Sequence, residues 1–260
     1  MISHNFYLNK SFDPYKINWS LYQENKLSDI HAEVIKMNTL IEYAALPAAI
    51  SIFKDIPEND FDLRSFIIKW AHDENKHAYT LKEYCNRFIP NHEATVAQFE
   101  EIAIDFSPSE VSVASSLALH MCTELSTIRW YKKMIAMHEE PLIKEIYSNL
   151  LIDEANHAAT FKKFLKKYTN QSNLKEVLSV FQLFMTKKFF ISIKMASTTN
   201  IDKQSIYSRL PDPKLFEHFL NDILQYDQNE LHDYLLKIAS DIADVKFNTI
   251  NEMKQYRKSL

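Results

Sequence analysis

Apolar residues recur at helical spacing along most of this chain, and four long stretches carry the pattern most clearly. The first starts at Ser28 or Asp29, both good N-caps, and runs to about Lys54. The second starts at Asn59 or Asp60 and reaches about Phe88, where Pro90 and Asn91 end it. The third opens on Ser107-Pro108-Ser109-Glu110, read as N-cap, first helical residues and capping-box glutamate, and reaches about His138. The fourth runs from Pro141 to about Tyr168. Pro47 lies inside the first stretch and predicts a kink about one turn beyond Glu42. Weaker patterns predict helices over 92–104, 174–197, 213–225 and 228–256, with a polar loop over 198–213. Residues 1–27 have no period and read as an arm lying on the body, with Trp19 as its one large anchor. The expected organisation is one domain: the arm, a four-helix bundle over 28–168, and C-terminal helices over 169–260 packed on it.

Each long stripe is interrupted by a carboxylate. Glu74 has Ile67, Trp70, Ala71, Ala78 and Leu81 as helical neighbours, and Glu154 has Tyr147, Leu150, Leu151, Ala158 and Phe161. Glu42 is flanked by Ile35, Thr39, Ala45, Leu46 and Ala49, and Glu124 by Leu117, Met121, Thr127, Ile128 and Tyr131. A charge on an apolar face is costly unless it is paired or holds a metal. His77 and His157 follow Glu74 and Glu154 by three residues, so each Glu-x-x-His pair aims at one point. The stretch therefore falls into two similar halves: Glu42 precedes Glu74 by 32 residues, and Glu124 precedes Glu154 by 30. That spacing suits long antiparallel helices with the carboxylates near mid-bundle. It matches the inward-facing pattern of ferritin-like di-metal carboxylate bundles. The fold class expected is all-α: a ferritin-like four-helix bundle with additional C-terminal helices.

Composition narrows the picture. Glycine is absent, so tight turns needing positive φ must use Asn or Asp, which fits helices and polar loops better than sheets. A net charge of −4 and no long basic run give no reason to expect nucleic acid. No apolar run approaches a membrane span, and the N-terminus lacks the pattern of a signal peptide. Cys85 and Cys122 make no disulfide framework, and the expected compartment is the reducing cytoplasm.

Four carboxylates and two imidazoles suit two divalent metal ions, and imidazole suits iron. Glu33 is the alternative to Glu42, with poorer spacing. His72, His120 and His138 read as ordinary polar or core histidines, His120 alone lying on the Glu124 face. Asp73 and Asp153, each just before a Glu-x-x-His glutamate, either hold a histidine of another helix or face solvent.

The chain resembles the soluble desaturases that act on acyl chains carried by acyl carrier protein, over roughly residues 37–240. Ala45-Leu46-Pro47 is similar to that family's Ala-Leu-Pro after the first glutamate, although the family glutamate falls where Tyr43 stands here. Trp70, Thr127 and Leu215-Phe216-Glu217-His218-Phe219 are similar to further family positions. The resemblance implies a metal site of Glu42, Glu74, His77, Glu124, Glu154 and His157 holding two Fe ions, with Fe/Mn as a variant. It implies that Thr127 assists oxygen or proton handling and that Trp70 carries electrons from a ferredoxin-like donor. It also implies a homodimer and an acyl carrier protein partner docking on a basic patch, for which Lys162, Lys163, Lys166 and Lys167 are candidates. The other readings are a di-iron hydroxylase or N-oxygenase of a small molecule, an iron-storage bundle, and a metal-free bundle. Leu150 stands where some N-oxygenases carry a third histidine.

Overall fold

A computed structural model describes residues 11–90, 112–186 and 228–260, with the side chains at 44, 47 and 228–230 excepted. Among the described residues there are helices and no strands. The four long ones are α1 (Asp29–Asp55), α2 (Phe61–Phe88), α3 (Val113–Met137) and α4 (Pro141–Tyr168). Three shorter ones follow: α5 (Leu174–Thr186), α6 (Gln228–Ala243) and α7 (Ile250–Ser259).

The starts are fixed by side-chain caps. Ser28 accepts from the His31 N–H, and Asp60 from the Leu63 N–H. Glu140 caps α4 by accepting from the N–H groups of Leu142 and Ile143, with Pro141 at the first position. Glu140 is buried completely, and it also takes the Tyr84 hydroxyl and the Gln23 N–H, so its charge is fully solvated by donors. Helix α1 continues through position 47 to Asp55.

Two expected boundaries are corrected. The third long helix starts at Val113, where the Ser112 hydroxyl accepts from the Ser115 N–H and supplies the cap. The Ser107–Glu110 box lies outside the described residues, as do the helices expected over 92–104 and 213–225, the loop over 198–213, the end of the 174–197 helix and the Leu215–Phe219 segment. The single helix expected over 228–256 is two helices. Asp244 takes a φ of 52°, the role glycine usually fills, and the Val245 N–H reaches back to the Ser240 carbonyl at 3.2 Å. Thr249 then caps α7.

Helices α1 and α2 pack as one pair and α3 and α4 as another, with α2 against α4 and α1 against α3 across the bundle. Two apolar clusters result. One gathers the C-terminal half of α1, the start of α2 and α3, the end of α4, and the shorter helices α5 to α7. The other gathers the start of α1 and α4, the end of α2 and α3, and the arm. Between them lies a layer of buried polar groups. The arm is held by more than Trp19: Phe12 and Ile17 are buried, and Tyr22 stacks on Phe88 at 3.8 Å. Leu46, expected on the inner face of α1, is exposed. No described helix is long and apolar enough to cross a membrane.

Candidate metal centre

The polar layer is built from all four long helices. Helix α1 supplies Glu42, α2 supplies Glu74 and His77, α3 supplies Glu124, and α4 supplies Glu154 and His157, all buried. Two groups of potential metal-binding atoms form, each with its atoms within 4.8 Å of one another. One comprises Glu42, Glu74, His77 and Glu154; the other comprises Glu74, Glu124, Glu154 and His157. Glu74 and Glu154 belong to both. Glu33 stays outside, paired with Lys36 at 2.6 Å.

The histidines are oriented from behind, across the bundle. His77 Nε2 lies 3.1 Å from Asp153 on α4, and His157 Nε2 lies 3.2 Å from Asp73 on α2. Of the two readings open for these aspartates, the structure selects the one in which each holds a histidine of the other helix. A carboxylate at Nε2 fixes the proton there and leaves a lone pair on Nδ1. Those lone pairs face carboxylate oxygens: His77 Nδ1 is 3.2 Å from Glu154 and 3.5 Å from Glu42, and His157 Nδ1 is 3.0 Å from Glu74 and 3.5 Å from Glu124. Despite these distances, both Nδ1 atoms, Glu74 Oε1 and Glu154 Oε1 have no hydrogen-bond partner. Lone pairs buried against lone pairs call for a cation between them. Four carboxylate charges balance two divalent ions, so the residues present fit a di-metal group.

The electrostatics agree. Burial, together with the charges of Glu154 and Glu42, pushes the Glu74 carboxyl well above its usual range. Burial and the Glu124 charge push Glu154 up to about 8, and burial raises Glu124. Burial alone would raise Glu42 too, but the hydrogen bond and charge of His77 outweigh it and hold Glu42 low. Burial opposes charging of His77 and His157, yet their carboxylate partners raise both. Without a metal, the cluster collects protons as substitute cations.

The two outer glutamates each have a neutral donor. The Tyr131 hydroxyl donates to Glu42, and the Trp70 indole N–H donates to Glu124 at 3.0 Å. Trp70 packs edge-on to His120 at 5.1 Å and to Phe161 at 5.2 Å. Thr127 is half-buried and donates to the Thr123 carbonyl at 3.1 Å. His72 is exposed, whereas His120 and His138 are buried.

Sequence reasoning missed several participants. The apolar stripe of Glu124 contains Tyr131, but its hydroxyl crosses to Glu42. Lys69 and Lys76 stand four before and three after Asp73 on α2 and both pair with it, a spacing that could have been read. The arm gave no signal. Ser11 donates to Asp73 at 2.9 Å, the Phe12 N–H donates to Asp153 at 3.1 Å, and the Phe12 ring lies 6.3 Å from that of His77. Of the four candidate docking lysines, Lys166 pairs with Asp241, Lys167 with Asp60, and Lys162 lies over the Tyr234 ring.

No curated protein and no solved structure gives a significant match to the chain. Residues 49–165 match the family model described as Rubrerythrin, a span that contains five of the six clustered residues and leaves Glu42 to the structure. With that match, the all-helical bundle is a ferritin-like fold, and its buried glutamate and histidine cluster fits a di-iron protein.

Proposed function

We propose that Glu42, Glu74, His77, Glu124, Glu154 and His157 hold two iron ions, and that the protein is an O2-dependent oxidoreductase that introduces a double bond into a fatty acyl chain carried on acyl carrier protein. The observation that supports the metal reading most is the convergence of four buried carboxylates on two unpaired Nδ1 atoms. Glu74 and Glu154, common to both groups, would be available to either ion, while Glu42 with His77 and Glu124 with His157 would each hold one. Bound ferrous iron supplies the redox chemistry by which a –CH2–CH2– unit, dioxygen, two electrons and two protons give –CH=CH– and two waters.

The remaining roles belong to the chain. Asp73 and Asp153 keep the imidazoles neutral at Nδ1 and aimed inward. Tyr131 and Trp70 fix the outer carboxylates. The resemblance to the desaturases supports two further roles: Trp70 would carry electrons from a ferredoxin-like donor, and Thr127, three residues beyond Glu124, would be the hydroxyl for proton handling. The two apolar clusters exclude bulk water from the layer between them.

The lysine pairings favour a second reading at the level of substrate. Because Lys166 and Lys167 are already partnered by Asp241 and Asp60, an acidic carrier meets a partly neutralised surface. A hydroxylase of a free small molecule keeps the same centre and needs no such surface. The test is to load the protein anaerobically with ferrous iron, supply a ferredoxin reductant, acyl carrier substrates and oxygen, and weigh the acyl product. Loss of two hydrogens per chain, dependent on oxygen, supports the desaturase. Bound iron and oxygen uptake with no change in the acyl chain refutes it and leaves the hydroxylase.

A further inference from the structure

The two halves of the centre present the same ligand types, but the groups behind them carry different charge. Asp73, which holds His157, is paired with two ammonium groups: Lys69 at one oxygen and Lys76 at the other, the latter at 2.8 Å. The two lysine side chains are only 16% and 17% exposed, so solvent screens these pairs weakly. Asp153, which holds His77, has the neutral Phe12 N–H at 3.1 Å instead. The Ser11 hydroxyl lies between the two aspartates, 2.9 Å from Asp73 and 3.4 Å from Asp153, and accepts from Lys76. Among the described residues no lysine or arginine pairs with Asp153. The Phe12 ring covers the same side of His77, and Lys76 in turn holds the Phe12 carbonyl at 3.0 Å.

We propose that Lys69 and Lys76 make the two metal positions unequal, weakening the one built on Glu124 and His157 relative to the one built on Glu42 and His77. This inference rests on the di-metal reading above. A histidine whose Nε2–H donates to a full carboxylate charge becomes a more basic ligand at Nδ1. Two ammonium groups on that carboxylate withdraw the effect, and their own charge opposes a cation nearby. The remaining groups described at the site are matched between the two positions. Glu74 and Glu154 are common to both positions, and each outer glutamate has one neutral donor, Tyr131 or Trp70. Lys69 and Lys76 are thus positioning residues that set the order of metal filling, and the Phe12 N–H is the uncharged counterpart that the arm brings to Asp153.

Cobalt(II), whose visible spectrum reports coordination, is the probe. Glu42→Ala strips the outer carboxylate from one position and keeps the full set on Glu124 and His157; Glu124→Ala does the reverse. Separate titrations of these two proteins avoid the repulsion between two bound ions. The expected result is tighter binding in Glu124→Ala, by about tenfold. Adding Lys69→Met and Lys76→Met to the Glu42→Ala protein should recover about that factor, while adding them to Glu124→Ala should change little. Arginine at both lysine positions should keep the weak binding, which separates charge from packing. Equal affinities in the two single-position proteins overturn the inference even if the lysine variants fail to fold. An equal effect of the methionines in both backgrounds also overturns it. Wild-type protein that binds no cobalt overturns the di-metal reading and this inference with it.

Discussion

Helices α1 and α2 bring Glu42, Glu74 and His77 to the centre; α3 and α4 bring Glu124, Glu154 and His157. The residue types and their register nearly repeat, yet the walls behind them do not. On the Glu42 side the wall is hydrogen-bonded: Tyr131 stacks on Tyr147 at 5.0 Å, the Tyr147 hydroxyl accepts from Asn38 at 2.6 Å, and Asn38 accepts from the Trp130 indole at 2.9 Å. On the Glu124 side Trp70 stands among Phe161 and His120, with Phe66 packed behind Phe161 at 4.8 Å. Burial raises the Glu124 carboxyl, whereas at Glu42 the His77 hydrogen bond and charge overcome burial. A repeated ligand pattern fixes where charge can gather; if the inference above holds, the unrepeated neighbours decide how firmly each half holds it.

The largest effect should come from the residues the halves share. Glu154→Ala removes a carboxylate common to both positions, so metal content by mass spectrometry should fall from about two irons per chain to nearly none. If the variant keeps one iron, the halves are independent sites and Glu154 does not join them. Next come the aspartates behind the histidines. Asp153→Asn and Asp73→Asn should each weaken metal retention roughly 10- to 100-fold, read as the rate of iron loss to a chelator. Each should strip one position and spare the other. Loss of both ions at one rate from either variant would erase the distinction between the halves.

Much of this comparison was legible in the sequence because it depends on period and spacing. A carboxylate in the middle of an apolar helical stripe is visible without coordinates, and the repeated interval from Glu42 to Glu74 and from Glu124 to Glu154 placed the layer. Glu42 could be preferred to Glu33 on spacing, and the structure brings Glu42 to the cluster. The unrepeated walls were not legible, because they depend on side chains meeting across the bundle. Tyr131 belongs by period to the face of Glu124, yet a long phenol reaches Glu42 on another helix. The arm carries no period, so nothing in its sequence showed that Ser11 and Phe12 reach the aspartates behind the histidines. The break at Asp244 was legible only as a rule: without glycine, an Asp or Asn had to take the left-handed turn, but which one depended on packing.

A smaller effect should separate the donors to the outer glutamates. Tyr131→Phe leaves a buried Glu42 oxygen without its phenol, and Trp70→Phe does the same to Glu124. Each should cost about 1–3 kcal/mol in the metal-free protein, measured by urea unfolding. The two differ in the second readout. If Trp70 lies on the electron path, Trp70→Phe should slow reduction of the oxidised centre by a ferredoxin, whereas Tyr131→Phe should not. Equal slowing in both would show that reduction follows ligand geometry and not a particular aromatic side chain.

The smallest effect concerns one buried imidazole beside each wall. His138 packs against Tyr147 at 5.6 Å and His31 at 4.3 Å, and His120 packs against Trp70. Burial lowers His138 to about 3 and His120 to about 4, from an ordinary 6.5. The folded-state values are depressed, so the unfolded chain binds protons that the native protein refuses. The stability held by these neutral imidazoles is complete above pH 6.5 and is lost as pH falls toward the folded values. Each contributes a slope of up to about 1.4 kcal/mol per pH unit below 6.5. His138→Phe and His120→Phe should each flatten the melting temperature between pH 6.5 and 4. Only below about pH 4 should they part, with His138 still opposing protonation after His120 has yielded. His138→Phe should also raise stability near neutrality, because both of its ring nitrogens are buried without partners. An unchanged slope in either variant would mean that water reaches that imidazole in solution, and the wall beside it would then be wetter than its packing implies.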